Sequence, residues 1–165
     1  MPVSLFRVDD RLVHGQVVIG WGRPLAAKFI VLVDDAVRES SWEQDLYRMA
    51  VPDDVEIIFA STAEAIARLP LWSADYRPGI LLTPDLATMA ALHDAVPDLV
   101  RRVNLGGLHH RPGRVERLRY IYLGEGDEAL LRRLGSEGTE ITAQDLPTAA
   151  AVGLAALLRT PMSMR

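Results

Sequence analysis

The chain has 165 residues, of which 49% are hydrophobic and 24% are charged, and its net charge at pH 7 is −4. This length and balance exclude a disordered chain and predict a single globular domain over residues 1–165, while the negative charge argues against a nucleic-acid binder. The sequence has no cysteine, no secretory signal and no apolar run long enough to span a bilayer, so it excludes thiolate chemistry and predicts a cytoplasmic protein.

Predicted strands and helices alternate along the chain. The continuous apolar run over residues 29–33 is typical of a strand buried on both faces of a parallel sheet. The other predicted strands cover residues 2–8, 55–60, 79–83, 99–104, 115–123 and 139–142. In residues 115–123 arginines alternate with apolar residues, which indicates a half-exposed strand near a sheet edge. The alternation predicts an α/β fold, a three-layer α/β/α arrangement with a mainly parallel central sheet of six or seven strands.

Local signals set the expected helix boundaries. Two pairs have the spacing of a capping box, Ser41 with Gln44 and Ser61 with Glu64. The first pair predicts a helix to about residue 50, and the second a short helix that Pro70 closes. Thr83-Pro84 predicts the start of a helix that runs to about residue 96. Further helices are expected over residues 15–26, 127–134 and 147–159.

The strongest functional signal is the turn between the first strand and the first helix, Asp9-Asp10-Arg11-Leu12-Val13-His14-Gly15. Ligands of open α/β sheets bind beyond the carboxyl ends of the strands, and a helix start suits an anion. A histidine that is largely neutral near pH 7 has one ring nitrogen able to attack phosphorus. The guanidinium of Arg11 matches phosphate oxygens, and Gly15 lets the backbone approach an anion closely. We therefore expect His14 to carry a phosphoryl group that Arg11 helps to hold.

The neighbouring residues allow more than one interpretation. The carboxylates of Asp9 and Asp10 would repel a phosphoryl group. One of them is therefore expected to orient Arg11 or the His14 ring, and the other to cap the turn. Turn formation alone accounts for the two aspartates equally well. Asn104-Leu105-Gly106-Gly107 ends the fifth strand at the same sheet edge, where a double glycine either cradles an anion or makes a plain turn. The adjacent His109 and His110 lack the spacing of metal ligands, and we expect no metal there.

The acidic pairs Asp9-Asp10 and Asp34-Asp35 suggest an alternative chemistry. Carboxylates at the ends of two strands suit Mg²⁺, as in receiver domains that are phosphorylated on aspartate. That chemistry normally adds a lysine at the end of a later strand. Lys28, the only lysine of the sequence, precedes the second strand and so lies at the wrong end of the sheet.

A series of motifs also resembles a known family. The motifs run along nearly the whole chain: residues 9–17, Trp21, Val33-Asp34-Asp35, Ala50-Val51-Pro52, residues 104–107 and Pro147. In order and spacing they resemble the enzyme IIB subunits of the mannose/fructose/sorbose class of bacterial sugar phosphotransferase systems. The first motif is highly specific and the others are supportive.

The resemblance implies that His14 accepts phosphate from a phosphohistidine on a IIA partner and passes it to a sugar bound by the membrane IIC/IID permease. It implies a first strand flanked by the fourth and fifth, so that the loops at Thr83 and at residues 104–107 flank His14. The candidate phosphate-binding or supporting residues are Asp9, Asp10, Gly15, Gln16, Thr83, Asn104, Gly106 and Gly107. We expect no cofactor, and association with the inner face of the membrane only through partners.

The chain departs from the family pattern after Gly107, where the family often has methionine and this chain has Leu108-His109-His110. We also expect no IIA domain, since one fold accounts for 165 residues. The sequence is compatible with a protein that works with a permease and with a regulatory module that signals after phosphorylation. It is also compatible with a homo-oligomer.

Overall fold

The computed structural model describes residues 3–159. The strands, in chain order, are β1 (Val3–Asp9), β2 (Phe29–Val33), β3 (Glu56–Ala60), β4 (Gly79–Thr83), β5 (Arg102–Gly107), β6 (Val115–Leu118), β7 (Ile121–Leu123), β8 (Glu140–Ala143) and β9 (Val152–Gly153). Seven of these strands form one sheet in the order β3-β2-β4-β1-β5-β8-β9. Neighbouring strands are parallel except for β8 and β9. Residue 2 of the predicted first strand lies outside the described residues.

The helices follow the strands in the expected alternation. A π-helix, Gln16–Trp21, leads into α1 (Gly22–Leu25), and the remaining helices are α2 (Asp35–Arg38), α3 (Ser41–Ala50), α4 (Thr62–Ala74), α5 (Leu86–Ala95), α6 (Glu125–Ser136) and α7 (Leu154–Leu157). The helix predicted over residues 15–26 is therefore two short consecutive helices, and the helix predicted over residues 127–134 is longer at both ends.

Two apolar clusters, one on each face of the sheet, confirm the three-layer arrangement. On one face the sheet packs against α4, α5, α6 and α7, with Leu69, Met89 and Leu134 among the fully buried residues. On the other face the π-helix and α3 cover the sheet, and Val17 is fully buried there. Side chains of β2 enter both clusters in alternation, which explains why its sequence is apolar throughout.

Helix α4 continues through Pro70, so the prediction that this proline closes the helix is wrong. Leu69 and Trp72 are buried on the same side of α4, and this packing outweighs the backbone hydrogen bond that proline cannot make. The capping box at its start is confirmed, because the Glu64 N–H donates to Ser61 Oγ at 3.1 Å and the Ser61 N–H donates to Glu64 Oε1 at 2.9 Å.

The other two predicted helix starts differ in detail. Helix α3 ends at Ala50 as expected, but the capping box predicted for Ser41 and Gln44 is wrong. Ser40 occupies the N-cap position without a side-chain capping hydrogen bond, and Gln44 donates its amide N–H to the carbonyls of Val37 and Arg38. Helix α5 begins at Leu86 rather than at Pro84, because Asp85 caps it by accepting the Thr88 N–H at 2.8 Å.

The prediction of one edge strand over residues 115–123 is wrong. A turn at residues 119–120 divides the segment into an antiparallel hairpin of β6 and β7, outside the main sheet. Polar and apolar residues alternate both in one long strand and in the two strands of a hairpin, so the sequence pattern could not distinguish a single strand from a hairpin. The Arg117 guanidinium contacts Glu128 of α6 at 2.9 Å instead of lying along a sheet edge.

Residues 147–159 do not form the predicted continuous helix. The segment contains β9, which pairs with β8, and then the single turn of α7. The Gln144 side chain donates to the carbonyls of Pro147 and Ala149, which satisfies backbone groups outside any helix. Tertiary contacts thus override the helix propensity of the alanines.

Strand β5 covers residues 102–107, whereas the prediction placed it at 99–104. Gly106 and Gly107 are therefore part of the strand rather than of a loop after it. This change matters because β1 and β5 are neighbours, and Asp9 pairs with Gly107.

Candidate functional site

The turn after β1 lies at the centre of the sheet's carboxyl edge, since β1 runs between β4 and β5. Asp9 closes this turn with both its backbone and its side chain. The Leu12 N–H donates to the Asp9 carbonyl at 3.1 Å, and the Arg11 N–H donates to Asp9 Oδ1 at 3.0 Å. Leu12 has a φ of 62°, a left-handed conformation that is unfavourable for a branched side chain. The turn is thus a tight, strained segment that projects Arg11 and His14 toward the rim of the site.

The Asp9 carboxylate is fully buried and holds the basic groups of the site together. Its Oδ2 lies 3.0 Å from His14 Nε2, 3.1 Å from Arg7 Nη2 and 3.1 Å from Arg11 Nη2. Its Oδ1 accepts a hydrogen bond from Arg11 Nε at 3.1 Å. One carboxylate therefore positions the two arginines and the histidine at once, which is the orienting role expected of one of the two aspartates.

The surroundings of Asp9 keep it ionised. Burial alone would raise its pKa, but hydrogen bonds from His14 and Arg11 and the charge of Arg7 outweigh burial and hold the pKa well below its ordinary value. Burial likewise lowers the pKa of the Arg7 guanidinium, and the neighbouring carboxylate counters this effect. Asp9 is consequently a carboxylate, not a carboxylic acid, at neutral pH.

The charge of Asp9 determines which ring nitrogen of His14 is free. An ionised carboxylate can only accept hydrogen bonds, so His14 Nε2 carries the proton that points to Asp9. In a neutral imidazole the other nitrogen, Nδ1, then has the lone pair. The His14 side chain is 20% exposed, so the ring binds a buried group and still reaches the surface of the protein.

Arg7 is a residue of the site that the sequence did not reveal. Its side chain is fully buried and donates to Asn104 Oδ1 at 2.7 Å, the Gln144 carbonyl at 3.2 Å and the Asp145 carbonyl at 3.1 Å. Its guanidinium carbon also lies 5.5 Å from the centre of the Trp21 ring. The available signal was an arginine within an otherwise apolar central strand. Apart from Asp9, however, its hydrogen-bond partners come from residues about a hundred or more positions later in the chain.

The glycine pair of β5 makes room for this cluster. A Cβ on Gly106 would lie 1.9 Å from Arg7 Cζ, and one on Gly107 would lie 2.9 Å from Asp9 Oδ1 and 3.1 Å from Arg11 Nη2. The pair is needed because side chains cross it, a reason that neither of the two expectations, an anion cradle or a plain turn, included. The Gly106 carbonyl lies 3.4 Å from Arg11 Nη2.

Gln16 joins the site directly, because its Oε1 accepts a hydrogen bond from Arg11 Nη2 at 2.8 Å. Gly15 has open space where a Cβ would point, and its φ of −55° is ordinary for any residue. Thr83 ends β4 in register with Val8, but it is buried and its hydroxyl donates to the Asp85 carbonyl at 3.0 Å. The structure therefore brings Gln16 to Arg11, whereas the Thr83 hydroxyl binds within its own loop.

Asp10 binds the segment after β5 rather than His14. Its carboxylate accepts the backbone N–H of His109 at 2.7 Å and contacts His109 Nδ1 at 2.6 Å. The Asp10 N–H itself donates to the Gly107 carbonyl at 2.9 Å. Asp10 thus joins the turn after β1 to the end of β5.

The second acidic pair lies apart from this cluster, because β4 separates β2 from β1. Asp34 caps α2 by accepting the N–H groups of Ala36 and Val37. Asp35 accepts the Thr62 N–H at 2.7 Å. The four carboxylates required by the receiver-like alternative do not converge, and Asp9 is already occupied by basic groups.

The fold and the site together define an α/β protein with a histidine held in a carboxylate–arginine cluster at the centre of its sheet edge. Within the described part of the chain, no helix is long and apolar enough to cross a bilayer.

Comparison with known proteins identifies the family. The model of the family described as "PTS system sorbose subfamily IIB component" matches residues 3–164. The chain is 30% identical over 160 residues to the N-acetylgalactosamine-specific phosphotransferase enzyme IIB component 2 of Escherichia coli, covering 96% of this chain and all of that protein. It is 28% identical to the sorbose-specific EIIB component of Klebsiella pneumoniae, covering 86% of this chain and 85% of that one. The chain therefore belongs to the sorbose subfamily of IIB components of the phosphotransferase system.

A solved structure supports the same fold. The IIB domain of the sorbose permease from Klebsiella pneumoniae superposes with a TM-score of 0.87, covering 98% of this chain and 99% of that one at 24% sequence identity. The predicted fold class and the resemblance to IIB subunits are both confirmed.

Proposed function

We propose that His14 is the phosphoryl acceptor of this IIB component and that its Nδ1 is the reacting atom. The observation that carries the proposal is the contact between His14 Nε2 and the buried, ionised Asp9 at 3.0 Å. This contact holds the proton on Nε2 and leaves the Nδ1 lone pair free to attack phosphorus. A histidine free to rotate would present either nitrogen.

The reaction we propose transfers one phosphoryl group in two steps. Nδ1 of His14 forms a bond to phosphorus as the bond to a phosphohistidine nitrogen of a IIA protein breaks, and that nitrogen keeps the electron pair. The oxygen of a sugar hydroxyl bound by a IIC/IID permease then forms a bond to the same phosphorus while its proton passes to water. The bond between phosphorus and Nδ1 breaks, and Nδ1 keeps the electron pair. No metal or cofactor is required by this sequence of steps.

The charges of the site suit a group of this kind. Two cations, Arg7 and Arg11, share the Asp9 carboxylate, so Asp9 does not fully cancel the positive charge of Arg11, which favours a phosphoryl dianion. Arg11 is 34% exposed and lies at the rim, where its guanidinium can contact phosphoryl oxygens. Arg7 lies beneath Asp9, so its contribution is to keep Asp9 ionised rather than to touch phosphate.

The partners and location we propose follow from the family. A IIA protein supplies the phosphoryl group, a IIC/IID permease receives it, and contact with these partners brings the protein to the inner face of the membrane. The relatives are named for different sugars, N-acetylgalactosamine and sorbose among them. We propose that the sugar is selected at the permease, where it is bound.

The experiment is transfer of a radiolabelled phosphoryl group from a phosphorylated IIA protein of this class, followed by mapping of the labelled residue. The label should map to His14, be lost in acid, persist in alkali, and be absent from His14→Ala. His110→Ala is the matched control, because this exposed histidine packs edge-on against Tyr122. Label that persists in His14→Ala, or that is lost in alkali as an aspartyl phosphate would be, contradicts the proposal.

A further inference from the structure

A second histidine–aspartate pair lies beside the first and has no part in the function proposed above. Both carboxylate oxygens of Asp10 bind His109, one through the backbone N–H at 2.7 Å and the other through ring Nδ1 at 2.6 Å. The side chain of Asp10 is largely buried, whereas that of His109 is 45% exposed. The two adjacent aspartates thus each hold one histidine, at opposite nitrogens of the ring.

The His109 ring is fixed in position. Its backbone follows Leu108, whose N–H donates to the Tyr120 carbonyl at 2.9 Å, and the His109 carbonyl accepts from Arg114 Nη1 at 3.0 Å. Because the Asp10 carboxylate accepts the hydrogen bond of Nδ1, the remaining nitrogen, Nε2, is the one left for another molecule. Among residues 3–159 this Nε2 has no hydrogen-bond partner.

The ring edge of His109 reaches the cluster that holds His14. The point where a Cβ of Gly107 would lie is 3.2 Å from His109 Cε1, 3.1 Å from Arg11 Nη2 and 2.9 Å from Asp9 Oδ1. Three side chains therefore surround the bare face of Gly107. Since Cε1 is bonded to both ring nitrogens, Nε2 of His109 lies one bond away from the atom that meets this cluster.

We propose that His109 is a second phosphoryl-contacting residue, whose protonated ring donates its Nε2–H to a phosphoryl oxygen while the group is transferred to and from His14. The proposal rests on the proposed function of His14 and adds a contact to it. No bond forms between phosphorus and His109, so the transfer itself is unchanged.

The need for such a contact follows from the charge of the transferred group and from the geometry of Arg11. Negative charge in phosphoryl transfer is spread over three equatorial oxygens. Nε and Nη2 of Arg11 already donate to Asp9 and Gln16, so this guanidinium cannot satisfy all three oxygens. A hydrogen bond from His109 would supply a donor for a phosphoryl oxygen that Arg11 leaves without one.

The charged groups around the His109 ring are the carboxylates of Asp10 and Asp9 and the guanidinium groups of Arg11 and Arg114. A phosphoryl group at the site would add negative charge beside the ring, and a charge-assisted hydrogen bond from Nε2–H would offset it.

Single-turnover transfer from a phosphorylated IIA protein tests the proposal in His109→Gln, with His110→Gln as the matched neighbour. His109→Gln should slow the transfer to His14 by about 10- to 100-fold, less than for an enclosed donor because the ring is half-exposed. His110→Gln should transfer at the wild-type rate. Asp10→Asn, which keeps the ring but removes its carboxylate, should slow the transfer in the same direction. Thermal melts of each variant report on folding.

Nitrogen NMR of the histidine rings in the wild-type protein distinguishes a phosphoryl contact by His109 from a purely structural role, because only the contact changes the Nε2 resonance when His14 is phosphorylated. With His14 phosphorylated, Nε2 of His109 should show the resonance of a protonated nitrogen. If Nε2 is then unprotonated, if His109→Gln transfers as fast as His110→Gln, or if the label maps to His109, the proposal is overturned. Absence of label from His14 in the wild type would instead overturn the proposed function, so the two failures are distinguishable.

Discussion

Replacing Arg7 by methionine tests whether the buried guanidinium beneath Asp9 supports the site. The substitution keeps a long side chain but removes the donors to Asp9, Asn104 and the two backbone carbonyls. Removal of one partner from a buried ion pair costs about 3–5 kcal/mol. We expect the lower end of this range, about 3 kcal/mol, because Arg11 and His14 still bind Asp9.

For a chain of this length, about 3 kcal/mol corresponds to a fall in melting temperature of roughly 6–12 °C. The assay is thermal and urea unfolding at neutral pH, with Arg48→Met as the control. Arg48 pairs with Asp45 at 2.9 Å, but their side chains are 52% and 73% exposed, and such pairs contribute about 0–1 kcal/mol. A loss in Arg7→Met no larger than that in Arg48→Met would refute the role of Arg7.

Three further predictions concern the same cluster. Arg11→Ala should slow phosphoryl transfer by about 10²–10³-fold without loss of folding. Arg11→Lys should recover only part of this rate, because a point charge replaces the planar guanidinium. Near-normal transfer in Arg11→Ala would show that Arg11 does not contact the phosphoryl group. Gly106→Ala should lower the melting temperature, since its Cβ would lie 1.9 Å from Arg7 Cζ, whereas Gly15→Ala, with open space around its Cβ, should melt like the wild type; equal melting of the two variants would contradict this. The depressed pKa of Asp9 means that its ionised form contributes stability above the unfolded value of about 3.9, and that this contribution is lost as the pH falls below it. The difference in unfolding free energy between wild type and Asp9→Asn should therefore be largest near neutral pH and shrink on acidification; a constant difference would count against the buried carboxylate.

The features that the sequence revealed are those encoded by contiguous residues. Strand β2 was predicted at its observed bounds because five successive apolar residues face the two cores in alternation. The turn that carries His14 was recognised because its aspartate, arginine and histidine lie within six residues. The capping box of α4 was recognised for the same reason, since it joins residues three positions apart.

The features that the sequence did not reveal depend on contacts between distant segments. Arg7 is held by Asn104 and by the carbonyl of Gln144, and no local pattern connects these three positions. The role of Gly106 follows from the same Arg7 side chain, which passes over it, whereas Gly107 lies against Asp9 and Arg11. The continuation of α4 past Pro70 depends on burial of Trp72 against the sheet, which a local propensity cannot express.

The most direct test of the central claim is the identity of the phosphorylated atom. Phosphorus–nitrogen correlation NMR of the protein after phosphorylation by a IIA donor reports which ring nitrogen carries the group. The contact between His14 Nε2 and Asp9 predicts a single coupling to His14 Nδ1, with Nε2 still protonated. Coupling to His14 Nε2, or to a nitrogen of any other histidine, would contradict the account.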